Sequence, residues 1–407
     1  MAIVIDILYL IFVMVTLFLT LMFFVLYWDN KKNLFKIPKM KKFPSLSILI
    51  PAYNEEKTIA DTIKKVKEME YPKKFEIIVI NDGSTDNTSE IAKKFKGVKV
   101  IDKTNGGKAN ALNLGLKYAK GKIIAVVDAD SYPGKKSLIN AVPFFKEKNV
   151  AAVTTSIFVK NPKNIIERLQ RIEYIMIVWA RKLLESIDSV YATPGVLSLY
   201  RKSALKKVGG FDEKNLTEDI EIAWRLIYNG YKIKMSLNSE NETKVPNNMR
   251  DWWKQRLRWN VGGLQTSVKY LHTFMKKDFK SLGMFILPFF SFSYILSLLG
   301  LGLLIFIFGK WAIDNITFTI GAYSVGVAPS HHLFSLMYIP DMFTVFGITI
   351  FLISLIWISI SFKTVKKRIG WPKGIFDLLL YLTIYITIFP FNLVQSTIRL
   401  LRGKYEW

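Results

Sequence analysis

Two aspartates that stand two residues apart, Asp128 and Asp130, close an apolar run over residues 123–127. Hard oxygen donors with this spacing suit Mg²⁺ or Mn²⁺ shared with a diphosphate. A cation held there would neutralise the negative charge that builds up on a leaving nucleoside diphosphate. A solvated acidic turn is the competing interpretation if the pair is considered alone.

Polar side chains also follow two earlier apolar runs. Pro-Ala-Tyr-Asn-Glu-Glu at 51–56 comes after residues 46–50, and Asn-Asp-Gly-Ser at 81–84 comes after residues 75–80. Turn chemistry or helix capping would explain any single one of these strand ends. Three of them at one edge of a sheet instead predict a binding site, because ligands of such sheets bind beyond the carboxyl ends of the strands.

Two roles fit Asp82, which precedes Gly83 in the second of these segments. Its carboxylate could accept a hydrogen bond from a nucleotide base, and it could also cap a helix that begins near Thr85. The later sequence Gly106-Gly107-Lys108 is a flexible, cationic loop suited to phosphates, although it is not a Walker motif. Both features are compatible with a nucleotide ligand.

A second pair of carboxylates, Glu218 and Asp219, follows Thr217 and precedes an amphipathic run over residues 220–227. A carboxylate placed within about 3 Å of an attacking hydroxyl could take its proton as a general base. The same residues would equally mark the start of a helix. Both readings remain open at this point.

Gln255, Arg258 and Trp259 have the spacing that places three side chains on one face of a helix. The guanidinium fork of Arg258 suits diphosphate oxygens, and the indole of Trp259 offers a flat platform for a sugar ring. An amphipathic helix on a membrane surface, with tryptophans at headgroup depth, is the structural alternative, and we expect both descriptions to hold. The neighbouring basic and indole side chains are Arg250, Trp252, Trp253, Lys254 and Arg256.

Apolar runs typical of buried strands alternate with stretches of helical spacing between Ser45 and Val127. Strand patterns cover residues 46–50, 75–80, 98–101 and 123–127, and helix patterns cover residues 56–69, 88–95 and 109–119. This alternation predicts an α/β domain with a mostly parallel sheet and helices on both of its faces.

The composition narrows the classes of function. The 407 residues include no cysteine, which excludes disulfides, thiolate nucleophiles and zinc–sulfur sites. The net charge of +25 favours anionic partners such as lipid headgroups or phosphorylated substrates. We expect no nucleic-acid binding, because basic residues alone, without a nucleic-acid-binding motif, do not form a surface that recognises a nucleic-acid groove.

Four apolar segments are long enough to cross a bilayer: residues 3–27, 282–308, 342–362 and 375–398. Six lysines follow the first segment, so the positive-inside rule places residues 31–280 in the cytosol of a multi-pass cell-membrane protein. The third segment is followed by Lys363, Lys366, Lys367 and Arg368, also a cytosolic signal. Strict alternation would then put the basic residues near the C-terminus, Arg399, Arg402 and Lys404, outside. A re-entrant last segment or a different number of spans would remove that conflict.

The ordered set of motifs resembles the family 2 inverting glycosyltransferases. The motifs are Pro51-Ala52-Tyr53-Asn54-Glu55-Glu56, Asn81-Asp82-Gly83-Ser84, Asp128-Ala129-Asp130, Thr217-Glu218-Asp219 and Gln255-Arg256-Leu257-Arg258-Trp259. The resemblance is greater to the membrane-embedded branch that includes cellulose, hyaluronan, chitin and poly-N-acetylglucosamine synthases. The basic, Trp-ended tail over residues 402–407 is similar to that of some relatives. The implied architecture is a cytosolic GT-A domain with a mostly parallel mixed sheet, joined to transmembrane helices.

The resemblance also implies a role for each site residue. Donor binding would fall to Pro51, Tyr53, Glu55, Asp82, Lys108, Asp128, Asp130 and Arg258. The metal, Mg²⁺ or Mn²⁺, would be held by Asp130 and Asp128. Asp219, with Glu218 beside it, would be the general base. Acceptor binding would fall to Gly195, Gln255 and Trp259.

The implied activity is that of an inverting hexosyltransferase that uses UDP-N-acetylglucosamine or UDP-glucose to extend a polysaccharide processively. Two alternatives remain: transfer of one sugar to a lipid acceptor, and an inactive membrane subunit that binds sugar. The implied partners are a nucleotide-sugar donor, a polysaccharide or lipid-linked acceptor, membrane lipid, and a second copy of the chain or an accessory subunit. The expected domains are an N-terminal helix (1–30), the GT-A domain (31–245), interface helices (246–281) and C-terminal spans with a basic tail (282–407).

Overall fold

The computed structural model describes residues 2–326, 342–367 and 373–403. Arg368 and the last four residues of the basic tail lie outside the described residues. The expectations stated for them therefore stay predictions.

One mixed sheet of eight strands, all within the described residues 46–243, forms the centre of the structure. Its strands are β1 Leu46–Ala52, β2 Glu76–Asp82, β3 Val98–Lys103, β4 Ile123–Val126, β5 Ser131–Pro133, β6 Val150–Val159, β7 Ser198–Arg201 and β8 Lys232–Thr243. Across the sheet the order is β3-β2-β1-β4-β7-β6-β8-β5. The first four strands in this order are parallel, which confirms the predicted α/β domain. Strand β7 is antiparallel to both β4 and β6 and makes the sheet mixed.

The α-helices of the described residues, in chain order, are α1 Ala2–Asn30, α2 Ile59–Lys67, α3 Thr88–Lys93, α4 Lys108–Tyr118, α5 Ser137–Ala141, α6 Ile165–Leu184, α7 Lys202–Lys207, α8 Glu218–Tyr228, α9 Met249–Lys269, α10 Leu287–Ser324, α11 Met342–Thr364, α12 Lys373–Leu380 and α13 Ile386–Leu401. π-Helical turns at Leu282–Ile286 and Tyr381–Tyr385 lead directly into α10 and α13. Side chains on the central strands point alternately to the two faces of the sheet. Leu49 and Ile78 pack with α4 and α8 on one face, while Ile48 and Val79 pack with α2 and α5 on the other. Because both faces are covered, these strands are apolar almost throughout.

The end of β2 differs from the prediction in a way that matters for Asp82. This residue is the last of the strand and only 3% exposed. Helix α3 begins at Thr88 and not near Thr85. The Thr85 amide lies in a turn before the helix and donates a hydrogen bond to the Asn54 side-chain oxygen at 2.8 Å. The interpretation of Asp82 as a helix cap is therefore wrong.

Four helical segments of the described chain are long and apolar enough to cross a membrane: Val4–Asn30, Leu282–Ser324, Thr344–Thr364 and Gly374–Leu401. They coincide with the four apolar segments of the sequence. The second is longer than predicted, since it continues from residue 308 to Ser324 and includes 43 residues. At about 1.5 Å per residue it measures about 65 Å, roughly twice the hydrocarbon thickness of a bilayer.

Helix α9 is fastened to the last apolar helix by polar contacts. The Trp252 indole is fully buried and donates to the Tyr385 hydroxyl at 2.6 Å, and the Trp253 indole donates to Gln395 at 2.6 Å. The Asn392 amide donates to the Trp253 carbonyl at 3.1 Å. The expectation that both tryptophans lie among lipid headgroups is therefore wrong for Trp252, because its ring is enclosed by protein.

Candidate active site

A cavity of 780 Å³ lies beyond the carboxyl ends of the central strands. Its walls come from the loop before α4, the end of β4, the loop over residues 191–196, and helices α6, α8 and α9. Nine of the site residues predicted from the sequence line it: Lys108, Asp128, Asp130, Gly195, Glu218, Asp219, Gln255, Arg258 and Trp259. Residues as far apart in the sequence as Lys108 and Trp259, 151 positions, thus meet around a space large enough for a ligand.

Four other predicted site residues do not line this cavity. Pro51 is buried within β1, and Tyr53 is half exposed beyond the end of that strand. Burial raises the pKa of the Glu55 carboxyl, and the nearby Asp128 carboxylate raises it further. Glu55 therefore lies at the acidic end of the cavity without lining it. Donor binding by these residues and by Asp82 stays a prediction.

The Asp82 carboxylate is occupied by the loop that precedes α4. It accepts hydrogen bonds from the amides of Gly106 at 3.0 Å and Gly107 at 2.8 Å, and it forms an ion pair with Lys103. These contacts fix the loop whose next residue is Lys108. Asp82 consequently positions a cavity residue through the backbone.

The Lys108 ammonium bridges the two acidic walls of the cavity. It lies 2.6 Å from an Asp128 oxygen and 2.8 Å from a Glu218 oxygen. Burial alone would lower the pKa of Lys108, but these two carboxylates raise it above its ordinary value. Burial works against ionisation of Glu218 as well, yet the ammonium holds its pKa below the ordinary value. Glu218 is therefore an ion-pair partner with little capacity to take up a proton.

Asp219 has the opposite character. Burial, followed by repulsion from Glu218, raises the pKa of this carboxyl to about 6, although Lys108 opposes the shift. Its backbone carbonyl accepts from the Thr193 hydroxyl at 2.9 Å, which joins the start of α8 to the loop that carries Gly195. A carboxylate with a pKa near neutrality in a cavity wall is suited to general-base chemistry.

The acidic end of the cavity can hold a divalent cation that also binds a ligand. Burial and then the charges of Asp128 and Glu55 raise the pKa of Asp130 to about 6, so a cation beside it would relieve repulsion. No group of three or more His, Cys, Asp or Glu residues in the described part of the chain is arranged to hold a metal by itself. Such a site fits Mg²⁺ or Mn²⁺, which take few protein carboxylates and complete their shell with phosphate oxygens and water.

Gly195 is in close contact with Asp128. Its carbonyl accepts from the Asp128 amide at 2.7 Å. A Cβ atom at position 195 would lie 2.3 Å from an Asp128 carboxylate oxygen. Only glycine leaves room for the carboxylate there, so the loop that carries Gly195 fixes the position of Asp128.

The inner face of α9 presents Gln255, Arg258 and Trp259 to the cavity, as their spacing predicts. The Oε1 atom of Gln255 is buried and has no hydrogen-bond partner among the described residues, which leaves it free for a ligand. The Trp259 ring is supported from behind by Arg256, whose guanidinium lies 4.2 Å from the ring centre and 2.5 Å from Glu173.

Two adjacent glycines on α9 allow a direct test of whether activity depends on the exact position of the start of α8, which carries Asp219. A Cβ atom at Gly262 would lie 2.3 Å from the Thr217 hydroxyl, whereas one at Gly263 would meet nothing within 4 Å. We expect Gly262→Ala to displace Thr217 and the Asp219 that follows it, and to lower the turnover rate on the order of 100-fold, since small misplacements of reacting groups cost that much. Steady-state sugar transfer measures the effect.

Gly263→Ala is the matched control, because it makes the same change one residue further along the helix. It should retain the turnover rate of the native protein. Equal rates for the two variants would mean that contact with Thr217 does not hold the carboxylate in place.

Several charged residues near the cavity were missed by the sequence reasoning, and two of them are Arg181 and Glu173. Arg181 lines the cavity from α6, and Glu173 pairs with Arg256 behind Trp259. Both lie on an amphipathic helix whose pattern indicates only packing. No spacing or motif distinguishes them from surface charges.

Comparisons with known proteins agree with this geometry. Residues 47–209 match the family model described as glycosyl transferase family 2. A poly-beta-1,6-N-acetyl-D-glucosamine synthase of Staphylococcus epidermidis is 38% identical over 250 residues, which cover 60% of each chain. The synthase of Staphylococcus aureus strain COL is 35% identical over 253 residues, covering 61% of this chain and 60% of the relative. The match thus spans about 60% of the length of these curated relatives.

Among solved structures, a mannosyltransferase from Pyrobaculum calidifontis, determined with GDP-Man and Mn²⁺, superimposes with a TM-score of 0.57 at 22% identity. The superposition covers 97% of this chain and 99% of that one. At this identity the likeness concerns the fold, and it extends over the sheet and the apolar helices together. The sheet is thus of the GT-A type, and residues 47–209 of the chain form a domain that matches the glycosyl transferase family 2 model.

Proposed function

We propose that this chain is an inverting hexosyltransferase that moves N-acetylglucosamine from UDP-N-acetylglucosamine to a growing polysaccharide at a membrane. The observation that carries the proposal is the single cavity that combines Asp219, the Lys108–Asp128 pair, Asp130 and the inner face of α9. The choice of sugar rests on the curated relatives, which are named for a polymer of N-acetylglucosamine.

The mechanism follows from the placement of the carboxylates. Asp219 takes the proton from an acceptor hydroxyl, and the resulting oxygen nucleophile attacks the anomeric carbon of the donor. The diphosphate leaves from the opposite face, so the configuration inverts and no covalent enzyme intermediate forms. Glu218 is held by Lys108 and keeps that ammonium in place beside Asp128.

Asp130 and Asp128 are the residues that would hold Mg²⁺ or Mn²⁺. When bound, the cation neutralises charge on the departing diphosphate. Lys108 and Arg258 supply further positive charge to the same oxygens, and the Arg258 fork can bind two of them at once. Trp259 and Gln255 would receive the acceptor end, with a sugar ring on the indole.

A multi-pass topology with the GT-A domain in the cytosol accounts best for the charge pattern. Six lysines directly follow the first candidate span, and the positive-inside rule assigns such a flank to the cytosol. Nucleotide sugar would then enter from the side on which the cavity lies. Transfer of one sugar to a lipid acceptor is the alternative, favoured by the small number of candidate spans for a polymer channel.

The size of the product distinguishes these functions. Purified enzyme given radiolabelled UDP-N-acetylglucosamine should release UDP and form a product that lengthens with time. Asp219→Asn protein serves as the blank. One labelled sugar on an extracted lipid would establish the alternative instead. Absence of nucleotide release with every nucleotide sugar in a panel would identify an inactive sugar-binding subunit.

A further inference from the structure

Arg181 is a buried cation that the catalytic scheme leaves without a role. The side chain lines the cavity, yet the residue is only 5% exposed. Its Nε and Nη1 atoms have no hydrogen-bond partner among the residues that the structure describes. Burying donors without partners is costly, so such groups usually meet a ligand or water.

The surroundings of Arg181 indicate what kind of ligand it would meet. Ile177 and Val178 lie four and three positions earlier on α6 and therefore share its face of the helix, and both line the cavity. The Tyr191 ring lies 5.8 Å from the guanidinium carbon. The guanidinium thus ends in an apolar part of the wall, on the loop side that also carries Gly195.

A ligand with a full negative charge fits this position poorly. The Asp219 carboxylate is near enough to interact electrostatically with Arg181, and it would repel an anion placed between them. A neutral group that has a strong hydrogen-bond acceptor and a small apolar end satisfies the donors, the carboxylate and the apolar neighbours together.

We propose that Arg181 recognises the acetamido group of the acceptor sugar, donating to its amide carbonyl while the methyl group packs on Ile177 and Val178. The proposal rests on the proposed function and deepens it, because it assigns selectivity for N-acetylated acceptors to one side chain. Glucose and N-acetylglucosamine differ only in this substituent. Arg181 would therefore bind the group that distinguishes the two sugars.

The test compares two fluorescently labelled disaccharides, β-1,6-linked N-acetylglucosamine and β-1,6-linked glucose. Their binding to the full-length enzyme is measured by anisotropy in the presence of UDP and Mg²⁺. The native protein should prefer the acetylated disaccharide, and Arg181→Met should weaken binding of that disaccharide by about 10- to 100-fold, the usual loss for a hydrogen bond to a charged group. Binding of the glucose disaccharide should change little.

Arg171→Met is the matched control on the same helix. Its guanidinium packs against the Phe362 ring at 5.9 Å, and the residue does not line the cavity. This variant should keep the native preference, while Arg181→Lys should restore only part of it, because an ammonium lacks the planar fork.

Three results would overturn the inference. The first is an Arg181→Met protein that keeps the native preference. The second is an equal loss for both disaccharides together with a shifted pH profile, which would make Arg181 a positioning residue for Asp219. The third is a native enzyme that releases UDP from UDP-N-acetylglucosamine but does not prefer, or does not bind, the acetylated disaccharide. Failure to use that donor at all would instead refute the proposed function, and UDP release measures this separately.

Discussion

Asp219→Asn protein should turn over about 100 to 10,000 times more slowly than the native enzyme, the range expected when a general base is removed. The amide cannot accept the hydroxyl proton, but it keeps the shape of the side chain and its contact with the Ile220 amide, 3.0 Å away. Binding of UDP should therefore be unchanged. Single-turnover kinetics combined with nucleotide titration separate the two effects.

Asp61→Asn is a suitable control, since this aspartate on α2 is exposed and forms an ion pair with Lys64 at 3.7 Å, away from the cavity. It should retain native turnover. If Asp219→Asn also retained it, Asp219 would have no part in proton removal, and the carboxylate nearest in sequence, Glu218, would have to be tested in its place.

The pH dependence of the native enzyme should report the same group. A general base must be unprotonated to act, and burial followed by Glu218 raises the pKa of Asp219 to about 6. The value of kcat/KM should accordingly increase with pH through about 6 and fall below it. Lys108 and Arg181 oppose the shift and Asp128 adds to it, so these charges all face the group. A profile that is flat between pH 5 and 7, about one pKa unit on either side, would contradict this assignment.

Removal of divalent cations should stop the reaction almost completely. Asp128 is partly neutralised by Lys108, but the raised pKa of Asp130, near 6, reflects burial and carboxylate repulsion that a cation would relieve. Without that cation, the charge on the departing diphosphate is compensated only by side chains. Treatment with EDTA followed by addition of Mg²⁺ or Mn²⁺ measures the loss and its recovery.

Asp130→Asn should raise the metal concentration needed for half-maximal activity, whereas Glu242→Gln, on the neighbouring strand β8 but exposed and outside the cavity lining, should not. Full activity in EDTA would exclude a metal role for Asp128 and Asp130. It would leave Lys108 and Arg258 as the charges that act on the leaving group.

The convergence of the site could be predicted because it depends on strand ends and helix faces. A parallel sheet brings the residues after β1, β2 and β4 to one edge, and helical spacing turns Gln255, Arg258 and Trp259 the same way. Motif order then supplied Gly195 and Asp219, which lie far away in sequence. The fold of the first four strands followed from the same alternation.

The features of the site that could not be predicted are those that depend on which groups each side chain contacts in the folded protein. Nothing at Asp82 indicates that its oxygens are taken by the backbone of Gly106 and Gly107. Trp252 has the flanking residues of a membrane-surface indole. Its ring is nevertheless buried in protein and donates a hydrogen bond to Tyr385, which lies 133 positions further along the chain. Arg181 is one of many basic residues in a chain of net charge +25, and only burial separates it from the others.

The indole hydrogen bonds between α9 and the last candidate span, Gly374–Leu401, have a consequence for how the enzyme responds to its lipid environment. A helix within a bilayer tilts to match the local hydrocarbon thickness. Any tilt of this span would move Trp252 and Trp253, and with them the turn of α9 that carries Gln255 and Trp259. Lipid chain length would thereby change the angle of the Trp259 ring in the cavity wall, and we expect transfer to slow in bilayers that are too thin or too thick even when every reactant is plentiful.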